Sequence, residues 1–274
     1  MPDPHQLTLQ ITGILGQRDT VNTYFLVDGA EGILVDAGRD PETDTRLLLD
    51  RWRDLGEPRM RGIVLTHGHP DHIGAAAALR EHWQVPISMH KGDEPILEHF
   101  GNPFRPDIEL KNCEEIETPI GVATVLHTPG HSPGHICLHF EGSRTLVSGD
   151  QVITNGTVYV GEPLGNMTHY LESMRRLLKR RIGLLAPGHG SMTRNGWRHV
   201  ADLHEYRLRR EGEIVMAVRT GVSTPLEIAR ILYQGRDLPE AILEFGARQT
   251  QSHLEHLERR GVVENTGSGW QLTG

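Results

Sequence analysis

Four side chains able to hold a metal ion, His67, His69, Asp71 and His72, fall within six residues in the segment THGHPDHIG, residues 66–74. In an extended loop His67 and His69 project to one side, while Asp71 and His72 face the same cavity from the start of the following helix. Donors arriving from two directions imply two ions. Imidazole nitrogen and carboxylate oxygen without thiolate suit zinc, with manganese or iron as alternatives. Three later segments repeat one arrangement: TPGH ending at His131, SGD ending at Asp150 and APGH ending at His189. Each closes an apolar run with small residues beside the candidate ligand, which lets the backbone turn tightly toward a buried ion.

The elements that must position these groups can be read from the surrounding pattern. Residues 7–35 hold the β-rich runs LTLQITGIL, VNTYFLVDG and GILVDAG, which predict a meander of strands. Leu47, Leu48, Trp52 and Leu55 predict a helix over 43–55. GIVLT at 62–66 predicts a buried strand and residues 73–83 a helix. PISMH, GVATVLHT, HICLHF and RTLVSGD read as strands, followed by helical patterns over 170–181 and 197–219. Past Gly221, Thr224, Pro225 and Glu227 form a helix start of the capping-box kind. Ala247, Thr250, Leu254 and Leu257 mark a second helix ending at Gly261, and VVEN and WQLT flank a TGSG turn. Helix, helix, hairpin is the order of a winged helix. The expected division is a catalytic domain over 1–210 and a winged-helix-like domain over 211–274.

Composition bounds the reading. Seventeen histidines against two cysteines point to imidazole chemistry, and Cys113 and Cys137, with no CxxC spacing, exclude a disulfide framework or thiolate clip. The amino terminus MPDPHQLTLQ has no basic or apolar leader region, and no apolar run approaches 18 residues, so a soluble cytoplasmic protein without membrane attachment is expected. The formal charge of -8 argues against a polyanion partner, but residues 172–210 hold ten Lys/Arg against three Asp/Glu and keep RNA open. His135, Cys137 and His139 alternate on one strand, which is read as packing rather than a second metal site. The remaining histidines, His253 and His256 among them, are assigned surface or capping roles, and Cys113 none.

In this order and with these gaps, THGHPDH, TPGH, SGD and PGHG resemble the metallo-β-lactamase superfamily, nearest to its beta-lactamase-like protein two and glyoxalase II-like group. The resemblance covers roughly residues 7–200. It implies an α/β fold, an αββα sandwich with the metal centre at one edge between the sheets. It also implies that His67, His69 and His131 hold one ion, that Asp71, His72 and His189 hold the other, and that Asp150 bridges two Zn2+ per chain. Asp71 would double as the catalytic proton acceptor, and Asp36 in ILVDAG would brace the ligand loop. His135, in a HSPGH turn like the HTxGH turn of glyoxalase-like members, would support a loop. A carboxylate at the Asp150 position marks general hydrolases, because antibiotic-degrading members usually lack it. The expected activity is hydrolysis of an ester, thioester or lactone bond in a small acyl substrate. The alternatives are a single-stranded RNA endonuclease using the basic segment 172–210 and a mononuclear iron persulfide dioxygenase. A homodimer is left open.

Overall fold

A computed structural model of the chain describes residues 2–12, 18–102 and 104–274. An antiparallel meander of β1 (His5–Thr12), β2 (Arg18–Val27) and β3 (Glu31–Val35) opens the fold. Then follow α1 (Thr43–Asp54), β4 (Arg59–Val64), α2 (Pro70–Ile73), α3 (Ala76–Trp83), β5 (Ile87–Met89), α4 (Glu94–His99) and β6 (Ile108–Glu109). These six strands lie side by side in chain order, with β3 to β6 parallel. The second sheet comprises β7 (Glu115–Thr118), β8 (Gly121–His127), β9 (Ile136–Phe140), β10 (Thr145–Gly149) and, after α5 (Met167–Leu177), β11 (Leu184–Pro187). Its order is β11-β10-β9-β8-β7. The chain ends with α6 (Gly196–Arg219), α7 (Pro225–Leu232), α8 (Glu240–Arg259) and the hairpin β12 (Val263–Asn265) and β13 (Trp270–Leu272).

Alternation along the strands explains the four layers. On β2, Tyr24 and Leu26 face the second sheet, where they meet Val125, Leu138, Phe140 and Val147. Phe25 between them faces the opposite way, into a core with Leu48 of α1 and Leu79 of α3. The second sheet divides likewise: Cys137, Leu146 and Leu185 turn outward onto Tyr170, Leu171 and Met174 of α5 and Val200 of α6. Strands buried on both faces must be apolar at successive positions, which is why β9 and β10 read as continuous runs.

The observed elements differ from the expected ones in specific places. The helix expected over 73–83 is broken, because Gly74 packs onto the loop after β3, where a Cβ would lie 2.0 Å from the Arg39 carbonyl oxygen. The helix expected from 170 starts earlier, at Met167, where the Asn166 side chain accepts from the His169 N–H (3.0 Å). Gly13, Ile14 and Leu15, read as a continuation of β1, lie outside the described residues. No helix among the described residues is long and apolar enough to cross a membrane.

The C-terminal helices and hairpin enclose a separate core of Ile214, Val218, Ile228, Leu254, Leu257, Val263 and Trp270. Thr224 caps α7 by accepting from the Glu227 N–H (3.3 Å). Helix α6 runs unbroken between the two cores, with Val200 and Leu203 in one and Ile214 and Val218 in the other.

His253 and His256 correct the sequence reading, since both are buried between α6 and α8 beside Glu211. Neither ring nitrogen of His253 has a hydrogen-bond partner among the described residues. Burial holds its pKa down to about 4, whereas an imidazole in an unfolded chain titrates near ~6.5. As pH falls the unfolded state therefore takes the proton first. The stability contributed by neutral His253 is complete above ~6.5 and is lost on descent toward about 4, at up to ~1.4 kcal/mol per unit. Urea unfolding near pH 7 and near pH 5 is expected to show this loss in the wild type and a smaller one in His253→Met. Equal losses would remove His253 as the source.

Candidate metal centre

Strand ends deliver most of the candidate ligands to one edge of the sandwich. Asp36 directly follows β3, His67 follows β4, His131 follows β8, Asp150 directly follows β10 and His189 follows β11, while Asp71 and His72 sit on α2. Two glycines make the approach feasible. A Cβ at Gly188 would lie 2.2 Å from Asp150 Oδ1, and Gly130, at φ 140°, would carry a Cβ 2.3 Å from Tyr170 Cα. Any other residue would push β11 or the His131 loop away from the centre.

All seven residues singled out from the sequence converge there. His69 Nδ1 lies 2.8 Å from His131 Nε2, which lies 3.3 Å from His67 Nε2. Two imidazole nitrogens that close share at most one proton, and a third lone pair aimed at the same point has nothing to accept from. A cation resolves the conflict. Beside this trio, His72 Nε2 is 3.4 Å from Asp150 Oδ1, and His189 Nε2 is 3.3 Å from Asp150 Oδ2 and 3.5 Å from Asp71 Oδ2. Asp150 Oδ2 is also 3.7 Å from His131 Nε2, so this carboxylate stands between the two groups. The donors fall into three overlapping sets, each with its ligand atoms within 4.8 Å of one another: His67, His69, His131; His67, His72, Asp150; and Asp71, His72, His189. His72 Nε2 and Asp150 Oδ1 are buried without a hydrogen-bond partner among the described residues. Orphaned donors and acceptors of this kind fit a divalent cation.

Hydrogen bonds on the far side of four of the five rings fix their orientation. The Nδ1 atoms meet Thr66 Oγ1 (His67, 3.0 Å), Asp36 Oδ2 (His72, 2.8 Å), the Tyr159 carbonyl (His131, 2.8 Å) and the Thr20 carbonyl (His189). Asp36 also accepts from the Thr66 N–H (2.7 Å) and Thr66 Oγ1 (2.8 Å), bracing the loop before His67. His135 is fully buried, and its Nε2 accepts from the Asp150 N–H (3.0 Å). Asp93 was not visible from the sequence. It accepts from the Gly68 N–H (2.8 Å), Ser132 Oγ (2.7 Å) and the Gly134 N–H, tying the His67–His69 loop to the His131 loop. A single acid in the turn HKGDEP resembles any capping residue, so only the tertiary fold reveals it.

The electrostatics divide the imidazoles. Burial, reinforced by neighbouring rings, pushes His67 well below the ordinary value and His69 down to about 3, leaving neutral lone pairs. Burial acts the same way on His72 and His189, but Asp150, helped by Asp36 and Asp71 at His72 and by Asp71 at His189, overcomes it and raises them to about 10 and about 12. Burial would raise the carboxyls of Asp71 and Asp150. His72 and His189 outweigh it and hold both below the usual carboxylate range. Neutral imidazoles and ionised carboxylates are the forms that ligate zinc or iron, so His67 and His69 are ready to bind, while a cation would have to displace the protons that the carboxylates hold on His72 and His189.

The metallo-beta-lactamase superfamily profile matches residues 16–189, and the beta-lactamase associated winged helix domain matches residues 224–270. A beta-lactamase-like protein 2 homolog of Caenorhabditis elegans is 27% identical over 95% of this chain and 88% of its own. An atrochrysone carboxyl ACP thioesterase of Passalora fulva is 28% identical over 81% of this chain and 66% of its own. The "Probable metallo-hydrolase YybB" of Bacillus subtilis is 34% identical over 50% of this chain, and the match spans 64% of that relative. Among solved structures, a metallo-beta-lactamase family protein from Thermus thermophilus shares the fold over 99% of both chains, with a TM-score of 0.80 at 22% identity. TTHA1623 in a di-iron-bound form matches 72% of this chain and 99% of its own, with a TM-score of 0.57 at 28% identity.

Proposed function

The chain belongs to the metallo-beta-lactamase superfamily, and from that premise we propose that it is a hydrolase using two divalent ions against an ester, thioester or lactone bond of a small acyl substrate. The observation that carries this reading is the pair of ligand sets joined at Asp150. In the proposed assignment His67, His69 and His131 hold one ion, Asp71, His72 and His189 hold the other, and Asp150 serves both. The second set favours an ion pair over the single iron of the dioxygenase alternative. Five imidazoles and two carboxylates without thiolate favour zinc, and iron remains compatible with the same donors. Bound there, such ions would supply Lewis acidity, lowering the pKa of a water toward ~7 and polarising a carbonyl.

This chain's own residues set the rest. Asp71 is placed to hold a proton at Oδ2 beside His189, and Asp36, Thr66 and Tyr159 keep the rings from rotating. The thioesterase name of one relative supports the thioester class. One observation favours a phosphodiester reading. Arg175, Arg176, Lys179, Arg180 and Arg181 have no carboxylate within ion-pair distance among the described residues, and three of them line a cavity of about 280 Å³. A panel of thioesters, lactones, phosphodiesters and single-stranded RNA, run on metal-replete protein beside His67→Ala, separates the two. Acyl hydrolysis that disappears in His67→Ala is expected; turnover confined to RNA would overturn the acyl reading.

A further inference from the structure

The segment 158–168 runs from the Asp150 side of the centre toward α5 and, up to Asn166, forms neither helix nor strand, so its backbone groups have no ladder of their own. Buried backbone donors must still find acceptors, and the C-terminal unit supplies them. The Val160 N–H donates to Gln249 Oε1 (3.2 Å) and the Met167 N–H to Ser252 Oγ (3.0 Å). Thr168 Oγ1 meets His256 Nδ1 at 2.9 Å, and Arg207 Nη2 donates to the Val158 carbonyl. The Tyr159 ring packs edge-on against Phe245 at 5.5 Å. Arg207 lies on α6, and the other partners lie on α8.

The same strap grips the metal centre on its other side. The Tyr159 carbonyl accepts from His131 Nδ1 (2.8 Å), and the Asn166 N–H donates to the Gly130 carbonyl (2.7 Å), one residue before His131. The bond at Nδ1 decides which nitrogen His131 turns toward the ion and how basic it is. We propose that the winged-helix unit is a brace for the metal centre, with Gln249 fixing the Tyr159 carbonyl through Val160, Ser252 fixing the Asn166 bond to Gly130 through Met167, and both positioning His131 from its two sides. This rests on the reading of His131 as a ligand. The unit thereby acts from within its own chain, through backbone hydrogen bonds and not through a nucleic-acid surface, in keeping with its six basic and nine acidic residues over 211–274.

Cobalt(II) titration of the full-length metal-free protein, followed by its visible absorption, tests both steps. His131→Ala should abolish or strongly shift the spectrum; an unchanged spectrum would overturn the ligand reading on which the brace depends. Gln249→Ala is expected to weaken cobalt retention about tenfold, as loss of outer support does at metal sites, and to lower kcat more than it changes KM. Gln249→Glu keeps the acceptor oxygen and should return retention to within about twofold. Ser252→Ala provides a second, independent removal, with the same direction expected. Val263→Ala loosens the C-terminal core without touching the strap and should leave cobalt retention unchanged. Unchanged retention in both Gln249→Ala and Ser252→Ala, or an equal loss in Val263→Ala, would overturn the brace.

Discussion

Asp150→Asn is expected to reduce metal content from the proposed two ions per chain to one or fewer and to lower kcat/KM on the order of a thousandfold, equivalent to about 4 kcal/mol. The carboxylate reaches both ligand sets, with Oδ1 toward His72 and Oδ2 toward His189 and His131. Its charge is the largest influence opposing burial at His72 and His189, which are raised to about 10 and about 12. Asparagine keeps the shape but turns one acceptor into an NH2 donor and removes the counter-charge from a buried cluster of cations and imidazoles. The fold should survive, because the Asp150 N–H to His135 bond and the Gly188 N–H to Gly149 carbonyl bond (2.8 Å) use main-chain donors that asparagine retains. Plasma-emission metal analysis alongside thioester turnover checks both parts. Two retained ions at a near-normal rate would exclude Asp150 from the bridging role.

How much of this was legible in the sequence depended on the range of the signal. The seven converging residues were readable because each sits in a short local pattern, a strand followed by glycine or proline and a donor, and the backbone requirement is local. Asp36 and His135 came instead from the resemblance, as family positions in ILVDAG and HSPGH, and not from local backbone chemistry. Asp93, the Tyr159 carbonyl and the Thr20 carbonyl were not readable: two are main-chain oxygens with no residue-type signature, and the third is an acid whose three donors come from two separate loops. The four layers came from the resemblance, because β9 and β10, buried on both faces, read as continuous runs that do not say which neighbour each face meets. The break at Gly74 was not readable, because it answers to the Arg39 backbone about 35 residues away in sequence. His253 and His256 were misread because a buried histidine at helical spacing is indistinguishable in sequence from an exposed one. Arg207 shows the limit of charge counting: it contributes to the basic segment, yet it is 1% exposed and packs on the Tyr170 ring at 5.3 Å.

The second large effect is expected at Asp71. Its Oδ2 stands 3.5 Å from His189 Nε2, and His72 and His189 hold the carboxyl ionised against the opposing effect of burial. A carboxylate in that state accepts hydrogen bonds but donates none. Asp71→Asn replaces one oxygen with a donor and removes the charge while leaving α2 intact, since Pro70 starts the helix and the His72 N–H bonds to the His69 carbonyl (3.0 Å) through the main chain. Turnover should fall by ~10²–10⁴, the range over which a positioned proton acceptor contributes, with circular dichroism and thermal midpoint little changed. Metal analysis then divides the two roles assigned to the residue. Loss of one ion together with turnover would make Asp71 chiefly a ligand, whereas two retained ions with a collapsed kcat and an altered pH-rate profile would make it chiefly the proton acceptor. Because Asp71 touches the second ligand set alone, unlike Asp150, its replacement should spare the ion held by His67, His69 and His131. A near-normal kcat in Asp71→Asn would sink both roles at once, leaving Asp150 and His189 to carry the chemistry of that half of the site.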